Sequence, residues 1–134
     1  MKRLIAALAC TLFATVSFAE CPSTTPVQEE YKQSQAIVIG TVEAAHPVPQ
    51  SWDTFDGTNF TVRVDQKVKG KQSGEIIVFS EHRDDAFPLK VGTQYLLFLT
   101  DTYQHWEINR CGNSGVLDDE GPVIKQIAHM LGND

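Results

Sequence analysis

Residues 36–43, AIVIGTVE, form a near-continuous apolar run rich in β-branched side chains. That pattern predicts a buried strand, with no polar face left for solvent. Further on, the pattern changes to strict alternation. Phe60, Val62, Val64 and Val68 fall on one face and Thr61, Arg63, Asp65 and Lys67 on the other, ended by Gly70. This predicts a half-buried strand. Residues 75–80 and 94–100 (QYLLFLT) predict two more strands, and 104–111 alternates again, with Trp106 and Ile108 sharing a face. Between the first two strands lies HPVPQSWDTFDGT, whose prolines and Asp-Gly pair predict a long loop. HRDDAFPLKVG reads as a polar connector. At the start, Thr25 as cap, Pro26 in the first turn and Gln28 at capping-box spacing predict a short helix over 26–33. At the end, Val123, Ile124, Ile127 and Leu131 recur at helical spacing and predict an amphipathic C-terminal helix. Five short strands with two helices point to a mainly β fold, a partly open five-stranded OB-like barrel. The chain is two strands short of a seven-stranded sandwich.

The first nineteen residues are set apart from the fold. Lys2 and Arg3 precede an apolar run at 4–18, and Ser17, Phe18 and Ala19 end it with small residues at the two positions a signal peptidase reads. The run falls short of the roughly 20 residues a spanning helix needs. The expectation is a signal peptide over 1–19, cleavage after Ala19 and one domain over 20–134, exported to a periplasm or beyond and free of the membrane. Lys2 and Arg3 leave with the leader, so nine basic residues face seventeen acidic ones, a formal charge near −8. Such a surface argues for solubility and against a nucleic-acid partner.

Cys10 also leaves with the leader, and the two remaining cysteines, Cys21 and Cys111, are expected to pair in an oxidising compartment. The bridge would close a loop worth about 4 kcal/mol by chain entropy. The spacing is not that of a C-x-x-C redox motif, so a structural staple is the expectation.

The order of these pieces resembles the netrin-type module shared with the N-terminal domain of tissue inhibitors of metalloproteinases. The resembling segments are Cys21 with a proline-containing helix, SQAIVIGTV, FTVRVDQKVKG, FPLKVGTQYLLFL and a closing strand ending INRC. Together they span nearly all of residues 20–134. The resemblance implies an OB-type barrel whose N-terminal cysteine is tied to the cysteine that ends the last barrel strand, in agreement with Cys21 and Cys111. In those inhibitors the first residue is a cysteine whose amine and carbonyl chelate the protease zinc. Here that position falls on Ala19, and its disulfide partner in the connector falls near Asp85 or Ala86. Both cysteines are absent together, so inhibition by that wedge is not expected unless Cys21 is itself the mature N-terminus.

Catalytic and metal chemistry find little support. His46, His82, His105 and His129 are scattered with no ligand spacing between them. EHRDD at 81–85 carries donors that could hold a cation, but reads as a solvated connector. No G-x-S-x-G elbow exists, and the glycines around Ser114 in CGNSG read as a turn. No enzyme activity, cofactor or resident metal is expected. The expected role is protein binding by loops on a rigid scaffold. The expected edge is Glu20, Pro22, Ser23 and Thr24 beside Asp85, Ala86 and Phe87, with Trp52 and Phe55 of the neighbouring loop as aromatic anchors. Two other classes stay open. One is a metalloprotease inhibitor, with a protease as the partner. The other is an OB-type carbohydrate or oligonucleotide binder using Arg63, Lys67, Lys69 and Lys71.

Overall fold

In the computed structural model, which describes residues 21, 24–49, 55–102 and 105–132, the chain runs through α1 (Val27–Gln33), β1 (Ala36–Pro49), β2 (Phe55–Lys69) and β3 (Glu75–Glu81). It continues through β4 (Gln94–Asp101), β5 (Trp106–Ile108), β6 (Gly115–Val116), a 3-10 turn at Leu117–Asp119 and α2 (Gly121–Gly132). β1 pairs antiparallel with both β2 and β4, β2 pairs with β3, and β4 pairs with β5. A parallel contact between β3 and β5 completes the ring. The circuit β1-β2-β3-β5-β4-β1 is a closed five-stranded barrel with OB-like strand order. Its β3–β5 seam rests on one residue pair among the described residues, Val78 with Trp106. The two-residue β6 pairs with the start of β4.

The apolar runs at 36–43 and 94–100 are explained by burial on both faces of β1 and β4. Ala36, Val38, Val42, Tyr95, Leu97 and Leu99 point into the barrel, where they meet Val62 and Val78. The alternate residues Ile37, Leu96 and Phe98 point outward into a second core made with Val27 of α1 and Ile127 of α2. The two helices therefore cover the back of these two strands. Each fully buried side chain of this kind contributes about 1.5–3 kcal/mol of apolar burial. No helix among the described residues is long and apolar enough to cross a membrane.

Three local expectations are corrected. First, the segment predicted as a long loop over 46–58 is mostly strand. His46 pairs with Asn59, Pro47 with Thr58 and Val48 with Gly57, so β1 and β2 extend as a hairpin beyond the barrel. Pro47 and Pro49 are tolerated because this end of β1 has only β2 beside it, leaving no second neighbour that needs their missing N–H groups. Gly57 is required by close packing: a Cβ there would collide with the Phe79 ring and the Ser80 carbonyl. Second, Thr25 does not cap α1. Pro26 occupies that position without a side-chain bond, because Thr25 is already tied across the molecule. Its N–H donates to the Cys111 carbonyl at 3.3 Å, and its carbonyl accepts from Asn113 Nδ2 at 2.7 Å. Third, the last strand is short. Asn109 Oδ1 accepts the Cys111 N–H at 3.1 Å and the Asn109 carbonyl accepts that of Gly112 at 3.0 Å, a turn that ends β5 before the cysteine.

Candidate functional site

The Cys21–Cys111 disulfide is formed, with Cα atoms 5.5 Å apart across 90 positions of chain. It fastens the N-terminal segment to the turn after β5. The bridge fits an oxidising environment.

Beside that turn, the barrel opens. Beyond the Val78–Trp106 contact β3 and β5 make no further pairing among the described residues, and the connector between β3 and β4 lines the space beside them. The result is a cleft of ≈ 290 Å³. Phe79, Phe87 and Ile108 give it apolar walls. Phe87 is held edge-on to the buried Tyr95 ring, with centroids 6.0 Å apart. The Tyr95 hydroxyl accepts the Lys90 N–H at 2.8 Å and donates to the Pro88 carbonyl at 3.3 Å. A residue of the barrel interior thus fixes the course of the connector.

The charged lining is organised around Asp85, whose side chain is only 17% exposed. It accepts from Arg83 Nε at 3.1 Å and from the Arg110 guanidinium. Arg83 also lies 3.7 Å from Glu81. On the opposite wall, Glu107 is 3.2 Å from His105 Nε2, and that imidazole packs on Phe79 with ring centroids 4.6 Å apart. Arg110 joins the two halves of the site. Its side chain reaches the connector at Asp85, and its carbonyl oxygen lies 3.9 Å from Cys21 Sγ.

Among the residues expected to bind, Asp85, Ala86 and Phe87 line this cleft, and the cysteines form the bridge beside it. Thr24 is exposed next to the bridge. Phe55 opens β2 opposite Pro49, and the neighbouring Asp56 carbonyl accepts the His82 N–H at 3.0 Å, which places the hairpin against the connector's first residue. Glu20, Pro22, Ser23 and Trp52 lie outside the described residues. Arg83, Arg110, Phe79 and Glu107 escaped the sequence reading. EHRDD signalled polar density there, but nothing in the chain marked Arg110 as the far partner of Asp85.

A second polar assembly supports this edge from behind. Glu30 of α1 is buried, and its Oε2 accepts both the backbone N–H of Asn113 at 2.7 Å and Asn113 Nδ2 at 2.6 Å. Its Oε1 has no hydrogen-bond partner among the described residues. A Cβ at Gly112 would strike this carboxyl, and one at Gly115 would strike that of Glu120, which gives the glycines of CGNSG their reason. Burial raises the Glu30 pKa above its ordinary 4.5, against the lowering effect of the Asn113 bonds. Burial also raises that of Glu120, helped by the nearby charges of Asp119 and Glu30. Because both folded-state values lie above the unfolded ones, protonation favours the folded state. That stability is fully present below 4.5 and is lost as pH rises through the raised values. The unfolding free energy is therefore expected to increase from pH 7 down to about pH 5, as measured by urea denaturation. A flat or opposite slope would contradict the assignment.

The basic residues on β2 are largely engaged within the protein. Arg63 donates to Glu43 at 3.0 Å and to Asp65 at 2.9 Å. Thr41, Arg63 and Gln94 all donate to Asp65 and hold its pKa down. Lys69 Nζ donates to the Tyr31 carbonyl at 2.6 Å and sits over that ring, 5.1 Å from its centroid, at the end of α1. Replacing the exposed Lys67 by Glu is expected to leave the unfolding free energy within about 0.5 kcal/mol of wild type, as read by urea denaturation, since it meets neither cleft nor core. Among the described residues, no group of three or more His, Cys, Asp or Glu side chains could hold a metal ion. No protein-family model matches the chain, and no curated protein matches it.

Proposed function

We propose that this protein is exported, to a periplasm or outside the cell, and works as a disulfide-stapled binding module for another protein. Its working edge is the N-terminal segment together with the connector at 85–87 and the cleft that the connector forms with β3 and β5. One observation carries the reading: Arg110 couples the Cys21–Cys111 bridge to Asp85, so the edge is presented by cross-linked, ion-paired loops on a barrel. Loops pre-ordered in this way lose little entropy when a partner docks. The β1–β2 hairpin meets the connector where the Asp56 carbonyl accepts the His82 N–H, and Trp52, in the sequence that joins the two strands, is the aromatic anchor of this reading.

The test is affinity capture from the exported proteins of the source cells, using the oxidised chain from residue 20. Protein specifically retained by wild type is expected to fall about tenfold or more with Ala86→Arg, which places a bulky charge at the cleft. Equal retention by both would overturn the reading. A metalloproteinase inhibitor of the chelating kind requires Cys21 to be the first residue. The intact mass of the exported protein separates the two, and a start at Glu20 is expected.

A further inference from the structure

Resting on that binding reading, we propose that the β3–β5 cleft receives a basic side chain, an arginine or lysine, of the partner protein. The cleft is not electrically neutral. Arg83 and Arg110 both turn their guanidinium groups onto the mostly covered Asp85, and each keeps roughly half of its side chain in solvent. Glu81 and Glu107 stand on facing walls, with side chains 58% and 42% exposed. Their partners are weak ones: a 3.7 Å arginine contact for Glu81 and an imidazole for Glu107. Asp56 and Asp84 add exposed carboxylates at the same end of the barrel. Carboxylates thus outnumber arginines here, in a chain whose overall charge is also negative. Phe79, Phe87 and Ile108 line the same cleft as the two glutamates. This suits a ligand with an apolar stem and a cationic end. The stem packs on the rings, the charge meets Glu81 and Glu107, and the ring faces attract the cation as well. The volume of ≈ 290 Å³ accepts one long side chain, not a folded segment. The net negative field would also speed encounter with a basic partner.

The experiment uses the oxidised chain from residue 20, labelled with nitrogen-15 and titrated at constant low ionic strength with n-butylguanidinium or with butyrate. Butylguanidinium is expected to shift the amides of Ser80, Ala86 and Ile108 saturably, and butyrate to leave them in place. The double variant Glu81→Gln/Glu107→Gln is expected to weaken the guanidinium probe about fivefold, the scale of two exposed ion pairs. Movement of those amides by butyrate alone, movement by neither probe, or unchanged affinity in the double variant would overturn the proposal. If the probe fails while Ala86→Arg still abolishes capture, the ligand chemistry falls and the binding module stands. If the probe binds while Ala86→Arg leaves capture intact, the binding module falls and the cleft's preference for cations stands.

Discussion

Removing the Cys21–Cys111 bridge, by Cys21→Ser with Cys111→Ser, is expected to lower the unfolding free energy by about 4 kcal/mol. The bridge spans 90 positions, so its loss returns a large loop entropy to the unfolded chain. Domains of this size are stable by only about 5–15 kcal/mol, so the loss is a large fraction of the whole. The fold itself should persist. α1 keeps Val27 in the outer core and Glu30 on Asn113, and the barrel interior does not involve the cysteines. Calorimetry should show a melting temperature lower by about 10–20 °C with native-like circular dichroism below it. A change worth less than about 1 kcal/mol would mean that the segment before α1 is not constrained by the bridge.

Asn113→Ala is the second large effect, about 3 kcal/mol at neutral pH. The backbone bond to Glu30 survives, but the side-chain amide serves two acceptors, the Glu30 carboxylate at 2.6 Å and the Thr25 carbonyl at 2.7 Å. Its loss leaves a buried carboxylate with one donor and an orphaned carbonyl beside the disulfide. Burial already raises the Glu30 pKa, and losing a bond to the charged form raises it further. Protonation then relieves part of the damage, so the cost is expected to shrink as pH falls from 7 to about 5. Denaturation of wild type and variant at the two pH values reads this directly. An identical cost at both would show that the Glu30 charge is not what Asn113 stabilises.

These effects arise at places that the chain announced unevenly. β1 and β4 were legible because two-sided burial leaves an unmistakable apolar run, and α2 because a one-sided helix leaves a stripe. The Cys21–Cys111 pairing followed from the cysteine count and from the oxidising compartment that the leader-like first nineteen residues lead one to expect. The hairpin beyond the barrel was hidden by Pro47 and Pro49, which signal a loop wherever a strand has two neighbours, but not at an edge. β5 was overextended because alternation continues past Ile108 while Asn109 has already turned the backbone. Glu30 was invisible for a different reason. An acidic residue in the first turn of a short helix reads as solvated, although it shares with Val27 and Tyr31 the face that packs inward. The connector at 85–87 enters the proposed edge through resemblance alone. Its arginine partners come from either side of it in sequence, 25 positions away in the case of Arg110, and only the barrel topology brings that one near.

The central claim is that the partner touches the connector edge and not the basic β2 face. The most direct measurement is site-specific photo-crosslinking in the exporting cell, with a photoreactive amino acid at position 86 or, separately, at position 67. A discrete protein adduct from position 86, absent from position 67, is the predicted result. An adduct from position 67 alone, or none from position 86, would contradict the account.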